Sequence, residues 1–306
     1  MKLIANRIEC GDLGYSSAFI EKALALEKEG DALLEIGANG EASNLYLRSA
    51  CLLRIGRFPH IMGFPTVNCP RKWTAWVLQK SVYLKAAKLW NAPVEEVDIP
   101  HECKEGRDKD TIPAYVRVPT TEDQKPFPTV LLFTGLDGYR PDNTTRLDEF
   151  VKRGWAAIVV EIPGTADCPA DPADPDSPDR LWQSLFQWMG RDSRFDMRRV
   201  MCWGLSAGGY YAVRIAHTHA HRLIGCVAQG AGTHHFFDPG WLRYIDRHEY
   251  PFELLPSLAL KFGFGNVDDF RAKAQKMFSL VQTEIVTMKS TRLLLVNVSC
   301  LYTCHN

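Results

Sequence analysis

The stretch Arg199-Val200-Met201-Cys202-Trp203-Gly204-Leu205-Ser206-Ala207-Gly208-Gly209-Tyr210-Tyr211-Ala212-Val213 constrains this chain more than any other. An apolar run of strand length enters Gly-x-Ser-x-Gly-Gly and leaves as a helical pattern. A serine on so tight a strand-to-helix turn is held with its hydroxyl exposed above the end of a sheet. Gly204 and Gly208 form the elbow because the backbone cannot bend so sharply around side chains, and Ser206 is the candidate catalytic nucleophile. The helix after it aims unpaired N–H groups and a positive dipole end at the serine, so the Ala207 N–H is a candidate oxyanion donor. A second donor is expected from the loop after an earlier strand. Residues 129–134 read as that strand and Gly135-Leu136-Asp137-Gly138-Tyr139-Arg140 as the loop, with Leu136 the candidate donor and Gly135 or Asp137 the alternatives.

The rest of the sequence agrees with an α/β sheet protein. From about residue 16 to 90 the pattern is helical. Ser17 is placed to cap a first helix, residues 41–55 carry apolar side chains at helical spacing, and a third helix carries Trp73, Trp76, Val82 and Tyr83. The texture then changes to short apolar or β-branched runs at 94–99, 114–118, 129–134, 156–162, 200–203, 224–229 and 293–297, with helix-length stretches at 146–153, 180–190 and 209–219 between them. Strands alternating with helices predict a mostly parallel sheet covered on both faces. The chain therefore divides into a helical N-terminal cap segment, 1–92, and an α/β core, 93–306. The Asp- and Pro-rich run 167–179 lacks the glycine and distal glutamate of a calcium loop and reads as a solvated, proline-stiffened connection.

Composition narrows the partners. Of 306 residues, 46% are hydrophobic and 24% charged, enough to bury a large core and to exclude wholesale disorder. Lys plus Arg equals Asp plus Glu at 36 each, which argues against nucleic acid and against a polybasic membrane anchor. No segment reaches transmembrane length and the N-terminus lacks a signal-peptide core, so the sequence reads as soluble and cytoplasmic. The sequons at Asn143 and Asn297 then carry no weight. Nine scattered cysteines indicate a reducing compartment. Cys300 and Cys304, with His305 beside them, make a poor zinc site, and no metal or organic cofactor is expected.

A serine nucleophile needs a base and a carboxylate to orient it, here in the chain order Ser, acid, His. The acid should follow the strand at 291–297, but no Asp or Glu comes after it, and only His305 comes later. The triad acid and histidine are not found, and the core reads as C-terminally truncated. His217, His219 and His221 read as helix-end polar residues. His234 and His235 sit at the carboxyl edge of the strand before them and are candidates for the substrate pocket, with Asp137 and Tyr139. His234 or His235 as base, and Asp238 or Asp246 as acid, are the substitutes on offer.

With the motifs FTGLDGYRPDNTTR (133–146) and CWGLSAGGYYAVRIA (202–216) behind a helical segment, the sequence resembles the α/β-hydrolases of fungal polyketide-pigment pathways, which shorten a heptaketide. Those enzymes are related to bacterial hydrolases that cut carbon–carbon bonds in pseudooxynicotine-like compounds. The resemblance implies an α/β-hydrolase fold with an N-terminal helical cap. It also implies hydrolysis of a carbon–carbon bond in the side chain of an aromatic polyketide, a naphthopyrone or acyl-naphthalene, for melanin or related pigments. No cofactor is implied, and the expectations carried with the resemblance are a homodimer and, as an alternative to a free cytoplasmic protein, association with endosomes. Trp73, Trp76, Tyr83 and Trp90 are candidates for closing over such a substrate, although aromatics of this kind more often fill a core. Alternatives are a general carboxylesterase or oligopeptidase-like hydrolase sharing the elbow, and a truncated, non-catalytic product.

Overall fold

The computed structural model describes residues 13–58, 69–120, 126–247 and 253–297. Helices α1 (Leu13–Glu35), α2 (Asn39–Arg57) and α3 (Pro70–Ala87) precede the sheet. Strands β1 (Glu95–Pro100), β2 (Thr111–Arg117) and β3 (Phe127–Phe133) follow. Then come α4 (Thr144–Lys152), β4 (Ala156–Val160), α5 (Ser177–Arg191), β5 (Phe195–Leu205), α6 (Ala207–Thr218) and β6 (Gly225–Gln229). Helices α7 (Leu254–Lys261) and α8 (Val267–Phe278) lead to β7 (Leu293–Val296). The seven strands lie in the order β1-β2-β4-β3-β5-β6-β7. The pairs from β4 through β7 are parallel, while β1 and β2 form an antiparallel edge. This is the mostly parallel sheet expected from the alternation of strands and helices, in the α/β-hydrolase arrangement that the resemblance implies.

Alternation along the central strands builds a core on each face. Leu131, Phe133, Ile158, Val160 and Cys202 face one way, against Leu181, Trp182, Leu185, Phe186 and Met189 of α5 and the buried side of α6. The α5 residues recur at helical spacing, so one stripe of that helix meets the sheet. Val130, Leu132, Ala157 and Val159 face the other way, against Tyr83, Ala86 and Ala87 of α3 and Leu147 of α4, with Ala23, Tyr46 and Leu53 of α1 and α2 in the same cluster. The N-terminal helices are thus packed onto a sheet face. Cys202 and Cys226 lie opposite one another in β5 and β6, buried as small hydrophobic side chains.

Several expectations are corrected. Ser17 lies inside α1, which begins at Leu13, so it is not a cap. Strand β5 starts five residues earlier than the apolar run, because Phe195 pairs with Phe127 although three of the four residues between are charged. The segment 167–179 is not simply solvated: Asp167 pairs with Arg140 at 2.7 Å, Asp171 accepts from Arg107, Asp179 holds Arg214 at 2.6 Å, and the last three residues belong to α5. His219 is buried rather than a surface helix end, packed on Trp182 and Phe186. Of the four N-terminal aromatics, Trp76 and Tyr83 are fully buried, Tyr83 stacks on Tyr115 at 5.5 Å, and Trp90 meets Tyr83 edge-on. Cys300, Cys304 and His305 lie outside the described residues. Among the described residues no helix is long and apolar enough to cross a membrane.

Candidate active site

The carboxyl ends of β3, β5 and β6 come level at Phe133, Gly204 and Ala228, which pair in register. Open α/β sheets bind ligands beyond these ends, where the strand order reverses. Here β5 runs directly into Ser206, whose φ of 53° and ψ of −123° place a non-glycine residue in a left-handed conformation. Such geometry costs of order 1–3 kcal/mol and persists only where its surroundings enforce it. They do so here: Ser206 N–H donates to Gln229 O at 2.7 Å and Ser206 O accepts from Gly209 N–H at 2.8 Å.

The two glycines serve close approach. A Cβ on Gly204 would lie 2.1 Å from Gly208 O, and one on Gly208 would lie 2.2 Å from Thr134 O. Strand β5, helix α6 and the end of β3 are therefore in backbone contact, which brings the loop after β3 beside the serine. Gly135 in that loop lies so close that its Cβ would be 3.8 Å from Ser206 Oγ. Its own N–H is taken by Gly138 O at 3.2 Å, which leaves Leu136 as the better candidate donor.

Ser206 opens into a cavity of about 290 Å³. Leu136, Asp137, Ala207 and Ser206 share its wall. Phe58, Tyr210, Phe236 and Phe262 give it an aromatic lining, with Leu254 and Leu258 from α7. Of the other sequence-predicted residues, Tyr139 is buried behind the loop, its ring 5.1 Å from Trp76 and 4.0 Å from the Arg57 guanidinium. His235 is exposed and bonded to Asp238 at 2.7 Å, away from the lining, and the His234 side chain lies outside the described set. Asp246 accepts from Leu255 N–H at 2.9 Å and so anchors α7. No histidine lines the cavity among the described residues, and no group of three or more His, Cys, Asp or Glu among them is placed to hold a metal.

Two charged features were not anticipated. Lys261, at the end of α7, lines the cavity yet is 1% exposed. Its Nζ donates to the Tyr211 hydroxyl and lies 3.9 Å from the centre of the Phe262 ring. Burial drives its pKa well below that of an ordinary lysine. A lone lysine in the apolar run Leu254–Lys261 was the available signal. Beneath the loop, Glu161 accepts from Thr134 Oγ1 and from Arg140 N–H at 2.9 Å, and burial pushes its carboxyl up to about 7 despite the Arg140 guanidinium. Burial also works against the Asp167 charge, but Arg140 and Lys80 hold that carboxyl well below the usual range.

The described residues therefore supply a strained, exposed serine, two candidate oxyanion donors and an aromatic acyl-sized pocket. A model of the Esterase FrsA-like family matches residues 23–291. Esterase FrsA of Photorhabdus laumondii subsp. laumondii is 25% identical over 231 residues, covering 75% of this chain and 52% of the relative. Esterase FrsA of Vibrio vulnificus is 27% identical over 239 residues, covering 78% and 53%. The chain spans about half the length of the curated relatives it matches. Among solved structures, that of 2,6-dihydroxy-pseudo-oxynicotine hydrolase superposes with a TM-score of 0.71 at 18% identity, covering 92% of this chain and 81% of that one. That likeness is one of fold.

Proposed function

This chain belongs to the FrsA-like esterase family, and we propose that it carries the nucleophile and acyl pocket of a serine hydrolase acting on an aromatic acyl compound. The carrying observation is Ser206 itself, held at φ 53° and opening onto a wall of Phe58, Tyr210, Phe236 and Phe262. Ser206 Oγ adds to the substrate carbonyl carbon as its proton passes to a base, and the Ala207 and Leu136 N–H groups receive the oxyanion. Collapse breaks the bond to the leaving group, which departs with the electron pair and takes a proton. Water then releases the acyl group from Ser206 as a carboxylic acid.

The preferred substrate is an acylated naphthalene or naphthopyrone, cleaved at the carbon–carbon bond of its side chain, because hydroxylated rings delocalise the charge on a departing ring carbon. The aromatic lining and the resemblance to pigment-pathway hydrolases support it. Ester cleavage by the same serine is the second reading, favoured by the family and by the esterases it resembles. The test is intact mass after treatment with a fluorophosphonate, with Ser206→Ala as control. A Ser206-dependent adduct is expected. Folded protein that gains none, or gains one regardless of Ser206, overturns the reading. Parallel turnover of an aryl ester and an acyl-naphthalene ketone then separates the two bond types.

A further inference from the structure

Arg57 is the last residue of α2, and the residue after it, Phe58, lines the cavity. Its side chain is 1% exposed and every arm of the guanidinium is engaged. Nε donates to Gln79 Oε1 of α3 at 2.7 Å. Nη2 donates to Asp142 Oδ2 at 2.6 Å. Nη1 donates to the Asp137 backbone carbonyl at 2.8 Å. Gln79 also reaches Asp142, at 2.8 Å, and Asp142 accepts from Tyr139 N–H at 2.7 Å. The guanidinium carbon lies over the Tyr139 ring, 4.0 Å from its centre.

Consequently the loop after β3 is tied at two points around Leu136. Gly135 N–H is fixed on Gly138 O within the loop, and Asp137 C=O is fixed on Arg57 from outside it. Charge-assisted bonds of this kind are short and directional, and Arg holds several partners in one plane where lysine is a single point. We infer that Arg57 is a positioning residue for the candidate oxyanion loop, so that the N-terminal helices set the donor geometry as well as covering a sheet face. This rests on the hydrolase reading for its catalytic consequence, but the clamp is testable without it.

The experiment compares wild type, Arg57→Gln, Arg57→Lys and the control Ser49→Ala. Ser49→Ala removes a buried bond from Ser49 Oγ to Ala23 O between α1 and α2, remote from the loop. Asp142 keeps Gln79, Tyr139 N–H and Arg54 in the Arg57 variants, so the carboxylate is not left unpaired. Two quantities are read: amide hydrogen exchange in peptides spanning 134–143, and fluorophosphonate labelling with aryl-ester kcat and KM. Arg57→Gln is expected to raise loop exchange at least about tenfold and to lower labelling and kcat about 10- to 100-fold, with KM within about twofold, as for a catalytic donor displaced by roughly 1 Å. Arg57→Lys is expected to recover part of each, and Ser49→Ala to change neither. Unchanged loop exchange in folded Arg57→Gln overturns the clamp, as does equal loosening in Ser49→Ala. Should wild type resist labelling while the Arg57 variants loosen the loop, the hydrolase reading falls and the clamp stands.

Discussion

Gly208→Ala sets two physical effects against each other. Replacing glycine by alanine within a helix normally stabilises it by up to about 1 kcal/mol, since the unfolded glycine has more freedom to lose. Here the new Cβ would sit 2.2 Å from Thr134 O and 2.6 Å from Phe133 O, whereas ordinary contact begins near 3.4 Å. The start of α6 must therefore move about 1.2 Å from the end of β3, and neither side can yield by a rotamer change because both are backbone. Overpacking of this sort costs about 3 kcal/mol. The net effect is a loss of about 2 kcal/mol, or roughly 3 °C in thermal midpoint for a chain of this size. The same displacement carries Ser206 and the Ala207 N–H away from the loop after β3, so labelling by a fluorophosphonate should slow about 100-fold. Gly190→Ala is the control: near the end of α5 its Cβ would meet nothing within 4 Å, so only propensity acts and stability should hold or rise slightly. Thermal melts and labelling time courses decide. A Gly208→Ala protein as stable as Gly190→Ala and labelled at the wild-type rate would refute the close-approach account of the motif.

Ser206→Gly should abolish labelling while raising the thermal midpoint by about 1–2 °C, because relief of about 2 kcal/mol of strain at a φ of 53° outweighs the cost of about 1 kcal/mol from glycine's greater freedom in the unfolded chain; a midpoint well below wild type would contradict strain at the elbow. His219 gives an acid-side prediction. Burial lowers its pKa to about 4, against the opposing pull of Asp179 and with help from His221, Arg222 and Arg214. Because the folded value lies below the unfolded one, its contribution to stability is present above pH ~6.5 and lost as pH falls through about 4, at most about 3 kcal/mol. His219→Phe, which keeps the packing on Trp182 and Phe186, should flatten the loss of denaturant stability between pH 6.5 and 4; an unchanged slope would reject this assignment.

The elbow was legible because its chemistry is local. A strand, Gly204, Ser206, Gly208 and a helix must follow in that order for so tight a turn, and the same run of residues states the order. The sheet was legible for a similar reason: 127–133 and 156–160 are apolar nearly throughout, as strands covered on both faces must be. Boundaries blurred where pairing across the sheet overrode local character, as at the charged start of β5.

What sequence reasoning missed depends on contacts between distant residues. Arg57 and Asp137 are eighty residues apart and Lys261 and Tyr211 fifty, and no local pattern links either pair. The aromatic wall behaves likewise, since Phe58, Tyr210, Phe236 and Phe262 come from four separate segments, whereas Trp76 and Tyr83 of α3 turned into the core. An aromatic or a charge looks the same in sequence whether it lines a cavity or fills a core; only packing chooses. The sequence by itself determined the turn, the succession of strands and helices, and the serine upon it. The tertiary structure decided which side chains face that serine, and it placed the N-terminal helices where Arg57 reaches the loop beside it.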